Sequence, residues 1–117
     1  MRNQSTPIIS HHVALIKLKT MENPPAFIQK IAEDILNYLN LKVVEKTSHQ
    51  FHPKGTTLAY ILSESHLLIH SWPEIEVIHL DLVTCNLLTL DRFENSIHLA
   101  IPLSNVDFIK TKSVNYT

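Results

Sequence analysis

Residues 57–84 read TLAYILSESHLLIHSWPEIEVIHLDLVT, and the architecture of the whole chain can be worked out from this stretch. It contains three short runs at 57–63, 66–72 and 76–84 that are rich in β-branched, aliphatic and aromatic residues. Such runs predict strands. A similar run at 41–50 comes before them. Because consecutive short strands favour antiparallel pairing, these four runs predict the centre of an antiparallel sheet.

A strand and a helix are predicted before this stretch. Residues 8–18 are rich in β-branched and aliphatic side chains and predict a first strand. Apolar residues then recur at spacings of three and four over 24–40, which predicts a helix. Asn23 can cap this helix, and Pro24 suits its first position.

A second helix and a last strand are predicted after it. Asp91 and Glu94 stand three apart, in capping-box register, ahead of an apolar helical pattern over about 91–101. Pro102 should end this helix, and residues 106–110 predict the last strand. The order β-α-β-β-β-β-α-β indicates an α+β fold, a two-layer α/β sandwich with one sheet and two helices.

Length and composition restrict the classes of function. The 117 residues fit a single domain over 1–117, near the size at which burying a catalytic pocket favours a partner chain. Ten basic and eleven acidic residues give a formal charge of −1, which offers no basic patch for nucleic acid or membrane. The apolar runs are also too short to span a bilayer. The composition therefore favours a small-molecule or protein partner, and we expect a small-molecule substrate. One cysteine and no secretory signal predict a cytoplasmic location.

The reactive side chains concentrate in residues 51–74, FHPKGTTLAYILSESHLLIHSWPE, and at Cys85. This region resembles the motif of the small prokaryotic S-adenosylmethionine decarboxylase proenzymes. Their pattern is roughly F-x-P-x-G-x-S, then E-S-H-x-x-I-H-T-W-P-E, then D-x-x-T-C-G. The resemblance covers most of the chain and is specific from Phe51 to Cys85. It implies an antiparallel sheet with two helices on one face.

The resemblance implies that the chain cleaves itself between Glu64 and Ser65. The products would be a beta chain of residues 1–64 and an alpha chain of residues 65–117. Ser65 would become a covalent pyruvoyl group that forms a Schiff base with the substrate amine and accepts electrons as carbon dioxide departs. The zymogen would then need no pyridoxal phosphate and no metal.

Three further residues gain processing or catalytic roles by the same resemblance. His70 is the base of the processing step, and Cys85 is the proton donor after decarboxylation. Thr57 stands where the pattern usually has serine, and its hydroxyl can still support processing. Gly55, the only glycine, predicts a site of close backbone approach or positive φ.

The implied activity is decarboxylation of S-adenosylmethionine, a lyase reaction that supplies the aminopropyl donor for spermidine and polyamine biosynthesis. Phe51 matches the position that stacks on adenine, and Glu74 matches the acid that accepts hydrogen bonds from the ribose hydroxyls. Trp72 is a candidate pocket wall beside Glu74. We also expect a homodimer of cleaved protomers, because two helices cover only part of a broad sheet.

Some positions depart from the pattern and keep alternatives open. Asn86 replaces a glycine, Ser71 replaces a threonine, and 75–79 reads IEVIH where the family tends to have glycine and an aromatic residue. A pyruvoyl decarboxylase of the same fold acting on arginine or ornithine is therefore an alternative. A homologue that binds a ligand without processing is another.

Two unrelated chemistries also use residue types present in the chain. Cys85 and His70 could form the nucleophilic pair of a thiol hydrolase, although no local signature supports it. Histidines that could ligate zinc are His11, His12, His66, His70 and His79. In a strand, residues four apart share a face with a wide gap between their rings, which disfavours a zinc site.

Overall fold

The computed structural model describes residues 7–116, and within them the elements follow the predicted order. The strands are β1 (Ser10–Leu18), β2 (Val43–Gln50), β3 (Thr56–Leu62), β4 (Ser65–Trp72), β5 (Val77–Thr84) and β6 (Val106–Ser113), and the helices are α1 (Pro24–Tyr38) and α2 (Leu90–Ala100). Neither helix is long and apolar enough to cross a membrane. The N-terminal segment behind the cytoplasmic prediction lies largely outside the described residues, and that location stays a prediction.

All six described strands join one antiparallel sheet in the order β2-β3-β4-β5-β1-β6. The four central runs of the sequence pair with their neighbours along the chain, as predicted. β1 then inserts between β5 and β6, so the first and last strands of the fold lie side by side.

The two helices pack on only one face of the sheet. Alternate residues of β1, β3, β4 and β5 are buried, and they form one core with the apolar faces of α1 and α2. The helices contact each other, α1 contacts β3 and β4, and α2 contacts β6. The α+β sandwich with both helices on one face is confirmed. The opposite face, called here the open face, is covered by no element of residues 7–116.

The N-cap of α1 lacks the predicted side-chain hydrogen bond. Asn23 occupies the N-cap position, but its backbone is left-handed (φ 47°) and its side chain makes no capping hydrogen bond. Side-chain caps normally need an extended backbone at this position. The predicted Asn23 cap is therefore wrong, whereas Pro24 does open the helix.

The start of α2 also corrects a prediction. Thr89 is the N-cap, and its hydroxyl accepts a hydrogen bond from the Arg92 amide at 3.2 Å. The capping box of Asp91 and Glu94 is wrong, because the helix begins at the residue after Thr89. The Glu94 carboxylate instead accepts a hydrogen bond from the Thr111 hydroxyl of β6.

Element ends shift by a few residues from the predicted ones. β1 begins at Ser10, and α1 ends at Tyr38 because Asn40 takes a positive φ of 58°. β6 continues past residue 110 to Ser113, because it stays paired with β1 as far as His12. Pairing with a neighbouring strand is not visible in the local pattern of residues 106–110.

Gly55 lies in the turn between β2 and β3 and meets both expectations for it. Its φ is 103°, and a Cβ placed there would come within 3.2 Å of the Ser71 carbonyl oxygen. The Phe51 amide donates to the Gly55 carbonyl at 2.8 Å and closes the turn. The predicted positive φ and close approach are confirmed.

Candidate active site

Ser65 is the first residue of β4, directly after the turn that joins β3 to β4. Its φ is 148°, a region that residues with a side chain rarely adopt. Such a conformation costs about 1–3 kcal/mol and persists only when surrounding structure enforces it. Here β4 is paired on both sides, with Leu62 and Thr84 opposite Ser65. The backbone at the predicted cleavage position is therefore strained.

The carbonyl of the Glu64–Ser65 peptide bond is held by a hydrogen-bond donor. The backbone amide of Cys85 donates to the Glu64 carbonyl oxygen at 2.9 Å. An N–H group in this place polarises the carbonyl and would stabilise negative charge on its oxygen. Cys85 follows the last residue of β5, Thr84, and its side chain is exposed. Glu64, Ser65 and Cys85 thus lie together, as the resemblance implies.

His70 and Thr57 form a second group, near the end of β4 and at the start of β3. They are opposite each other in the register, and Thr57 Oγ1 lies 2.5 Å from His70 Nδ1 in a hydrogen bond. The Trp72 and Phe51 rings pack edge-on to the imidazole, at centroid distances of 4.3 and 5.7 Å. We call Phe51, Thr57, His70 and Trp72 the aromatic cluster.

The surroundings of His70 favour its neutral form. Partial burial lowers the pKa of the His70 imidazole from its ordinary 6.5, and His79, opposite it on β5, lowers that pKa further. Glu74 opposes this effect by raising the pKa. A neutral imidazole can accept a proton, which is what a base must do.

The aromatic cluster and the cleavage position are separate within one chain. His70 follows Ser65 by five residues on the same strand, a distance of about 17 Å at about 3.3 Å per residue. His70 therefore cannot act as a base on Ser65 of its own chain in this conformation. Cys85 lies beyond the end of β5, whereas His70 pairs with His79, so the Cys85–His70 pair of a thiol hydrolase is not formed either.

The predicted substrate-binding residues lie at the His70 end of the sheet. Trp72 ends β4, and Glu74 is exposed in the short turn Pro73–Ile75 that follows. Phe51 is 44% exposed and lines an open cavity of about 330 Å³ together with Gly55 and Pro73. Exposed aromatic rings can stack on a flat heterocycle, and a nearby carboxylate can accept hydrogen bonds from hydroxyl groups attached to it.

The sequence did not indicate the Cys85 amide. The resemblance assigns Cys85 a role through its thiol, while the group that contacts the Glu64 carbonyl in the structure is its backbone N–H. Every residue except proline has this donor, so residue type carries no signal for it. Only the pairing of β4 with β5 places it on the Glu64 carbonyl.

The histidines do not assemble a metal site in the described chain. Among residues 7–116, no group of three or more histidine, cysteine, aspartate or glutamate side chains is arranged to hold an ion. His11 instead hydrogen-bonds to Asp81 at 2.7 Å, and His12 is buried in the core layer. The zinc alternative gains no support from this arrangement.

Comparison with known proteins places the chain in a family. A family model described as S-adenosylmethionine decarboxylase matches residues 16–112. The chain belongs to the S-adenosylmethionine decarboxylase family. The match spans the strained Ser65, the Glu64 carbonyl and Cys85, as well as the aromatic cluster. The resemblance expected from the motif is confirmed.

Curated relatives carry the name S-adenosylmethionine decarboxylase proenzyme. One from Clostridium botulinum (strain Hall) is 42% identical over 60 residues, which are 51% of this chain and 52% of the relative. One from Methanococcus aeolicus is 38% identical over 60 residues, 51% of each chain. One from Archaeoglobus fulgidus is 36% identical over 58 residues, 50% of this chain and 52% of the relative. The chain therefore spans about half the length of the curated relatives it matches.

The fold matches a solved member. The crystal structure of the adenosylmethionine decarboxylase from Aquifex aeolicus VF5 superposes with a TM-score of 0.76. The superposition covers 94% of this chain and 91% of that chain, at 24% sequence identity. The likeness shows that the two chains share their fold.

Proposed function

We propose that this protein is an S-adenosylmethionine decarboxylase that cleaves itself between Glu64 and Ser65 and converts Ser65 into a pyruvoyl group. The observation that carries the proposal is the strained Ser65 (φ 148°) next to a Glu64 carbonyl that accepts the Cys85 amide hydrogen bond. Membership of the family supports the same reading. Cleavage would leave residues 1–64 and residues 65–117 in one folded protomer.

The first processing step uses groups that already lie together. The Ser65 hydroxyl attacks the Glu64 carbonyl carbon, and the Cys85 amide stabilises the resulting oxyanion. Breaking the C–N bond transfers the Glu64 acyl group from nitrogen to oxygen and gives an ester. The strain at Ser65 favours this step because cleavage releases the backbone from its φ of 148°.

The second processing step needs a base. Removal of the Ser65 α-proton expels the Glu64 carboxylate and leaves a dehydroalanine. Water then hydrolyses the dehydroalanine, with loss of ammonia, to give the pyruvoyl end. We assign the base to His70, whose lowered pKa keeps its imidazole neutral, with Thr57 fixing the ring. Since His70 lies about 17 Å from Ser65 in one chain, the base is His70 of the partner subunit.

Residue 65 suits a pyruvoyl group. The turn before Ser65 is exposed, so the new chain ends can separate, while β4 stays paired with β3 and β5 after cleavage. The group would be held at the start of β4, beside Cys85. When formed, it supplies a carbonyl that binds an amine and draws electrons from the bond to carbon dioxide. The exposed Cys85 thiol can then deliver a proton from Sγ to the substrate carbon.

The open face supports a homodimer. Leu15, Ile61, Leu68 and Trp72 are 37–50% exposed although they lie on central strands of the sheet. A second copy packed on this face would bury these side chains and bring the partner's aromatic cluster towards residue 65. In this arrangement Phe51 stacks on the adenine and Glu74 accepts hydrogen bonds from the ribose.

Release of carbon dioxide from carboxyl-labelled substrates tests the activity. We expect turnover of S-adenosylmethionine and none of arginine or ornithine, because stacking and ribose contacts need the adenosine group. Cys85→Ala should still cleave but lose about 100-fold in turnover, within the usual range for a proton donor, and Cys85→Ser is its matched control.

Other outcomes would change the assignment. Turnover of arginine or ornithine alone would overturn the substrate and leave the pyruvoyl chemistry standing. An intact chain without turnover of any substrate would favour a homologue that binds without processing. A Cys85→Ala protein with full turnover would remove the thiol from the proton-donor role.

A further inference from the structure

The loop that carries Cys85 is fixed to β1 through the backbone of a single residue, Leu88. Residues 85–89 join β5 to α2, and Leu88 is buried among them. The Leu88 amide donates to Ser10 Oγ at 3.0 Å, and the Leu88 carbonyl accepts from His12 Nε2 at 2.6 Å. Ser10 and His12 lie two residues apart on the buried side of β1, so both reach the same loop. We call these two residues the β1 clamp.

The His12 ring is itself held in one orientation. Since a carbonyl can only accept, Nε2 carries the proton and Nδ1 is free to accept from the Ser113 hydroxyl, 2.8 Å away on β6. The imidazole also stacks on Phe93 of α2, with ring centroids 5.6 Å apart. Only 5% of the residue is exposed. The donor to Leu88 is therefore placed by contacts with two further elements.

The clamp acts on a short loop whose other end is also fixed. The Asn86 amide donates to Thr84 Oγ1 at 3.1 Å, and the Cys85 amide donates to the Glu64 carbonyl. Between Thr84 and Leu88 only three residues remain, so a shift of Leu88 must be absorbed by the backbone of Cys85, Asn86 and Leu87. The amide that donates to the Glu64 carbonyl and the thiol both belong to Cys85.

We propose that Ser10 and His12 are positioning residues that keep the Cys85 amide on the Glu64 carbonyl and the Cys85 thiol beside residue 65. This inference rests on the proposed function for its effect on the reaction. The clamp touches neither Ser65 nor the aromatic cluster, and it acts through Leu88. The motif Ser10-x-His12 thus gains a role that the sequence pattern around Ser65 does not contain.

Two substitutions of His12 separate positioning from simple core packing. His12→Gln keeps a donor at the position of Nε2 and can still reach the Leu88 carbonyl. His12→Asn places its amide near the position of Nδ1 and cannot reach it. Both remove the ring that packs on Phe93, so they share the packing loss. Ser96→Ala is a control, because Ser96 is buried and bonds to the Phe93 carbonyl without touching the loop.

The first readout is amide hydrogen exchange by NMR in the uncleaved Ser65→Ala chain. We expect the Cys85 amide to exchange about tenfold faster in His12→Asn and Ser10→Ala, as for the loss of one hydrogen bond. The Leu80 amide in the middle of β5 serves as the reference and should not change. His12→Gln and Ser96→Ala should leave the ratio of Cys85 to Leu80 exchange within about threefold of the parent.

The second readout is the rate of self-cleavage in the chain with Ser65 intact. His12→Asn and Ser10→Ala should slow cleavage about tenfold, and His12→Gln should restore most of the rate. Equal acceleration of Cys85 and Leu80 exchange, or unchanged cleavage despite faster Cys85 exchange, would overturn the proposal. If the unsubstituted chain never cleaves, the proposed function fails, and the exchange data still decide whether the clamp positions Cys85.

Discussion

Ser65, the proposed precursor of the pyruvoyl group, has a strained backbone. Its backbone is kept at φ 148° by pairing on both sides, next to a carbonyl that already accepts a donor. The strain is a cost to folding of about 1–3 kcal/mol that the uncut chain carries. A Ser65→Ala substitution, which removes the hydroxyl, prevents self-cleavage but keeps the backbone strain. The effect of the strain on stability can therefore be measured without cleavage.

Ser65→Gly should be more stable than Ser65→Ala by about 1 kcal/mol. Glycine relieves the strain at positive φ, which outweighs its entropic cost of about 0.5–1 kcal/mol. Urea unfolding at unchanged m-value measures the difference in free energy of unfolding. Ser63, which does not have a positive φ, is the matched position, and there alanine should be at least as stable as glycine. A more stable Ser65→Ala would contradict the strain at Ser65.

The rate of self-cleavage should fall on the acid side with a midpoint below pH 6.5. Partial burial lowers the pKa of His70 from 6.5, so the neutral base persists to lower pH than for a free imidazole. The same shift makes folding stability decrease as the pH falls below 6.5, because the unfolded chain binds that proton more readily. Timed mass spectra of freshly synthesised chain at pH 5–8 give the profile.

Two outcomes would speak against His70 as the base. One is a midpoint at or above pH 6.5 in the unsubstituted chain. The other is an unchanged acid limb in His70→Gln, which lacks the titrating group. Circular dichroism over the same pH range separates unfolding from loss of the base.

Residue types predicted part of the candidate site. The resemblance implied that Glu64, Ser65 and Cys85 belong to one site, and in the structure the Cys85 amide does contact the Glu64 carbonyl. The same motif joined His70 to this group, whereas a strand keeps residues five apart at about 17 Å. A linear motif lists the residues of a site without saying which copy of the chain provides each one.

At the scale of elements, strands were predicted better than helix starts. The central strands alternate buried and exposed residues, as β3 and β5 show, and this period is visible in the sequence. A side-chain cap depends on the backbone φ and ψ of the N-cap residue, and the amino-acid sequence nearby does not fix these angles. The backbone of Asn23 is left-handed and that of Thr89 is extended, so Thr89 forms a side-chain cap and Asn23 does not.

Pairing between distant strands was also beyond the local pattern. β6 extends to Ser113 because β1 lies beside it, and β1 pairs with β5, which is far from it in the sequence. The β1 clamp depends on this insertion, since it places His12 under the loop after β5. No spacing rule connects residues 10–12 with residues 85–88.

At the scale of the whole molecule, the proposed homodimer would explain both the exposed open face and the separation of His70 from Ser65. The open face carries exposed apolar side chains such as Ile61 and Leu68, and Thr57 and His70 of the aromatic cluster lie on the same two strands, β3 and β4. A twofold dimer through this face would cover the apolar side chains and complete each site with the partner's His70.

Mixing two inactive chains tests this arrangement. Ser65→Ala retains His70 but has nothing to cleave, and His70→Ala retains Ser65 but lacks the base. If the base comes from the partner, refolding the two together should restore cleavage of the His70→Ala chain in mixed dimers. Each variant refolded alone is the control and should stay intact. No cleavage in mixtures that light scattering shows to be dimeric would place the base in the same chain or remove His70 from the role.

Intact-mass spectrometry of the purified chain tests self-processing at Ser65 most directly. We predict two fragments, residues 1–64 and residues 65–117, the second beginning with a pyruvoyl group in place of serine. Ser65→Ala should remain at full length and folded. A chain that stays whole after prolonged incubation, with no fragment beginning at residue 65, would contradict the assignment of Ser65 as the precursor of the prosthetic group.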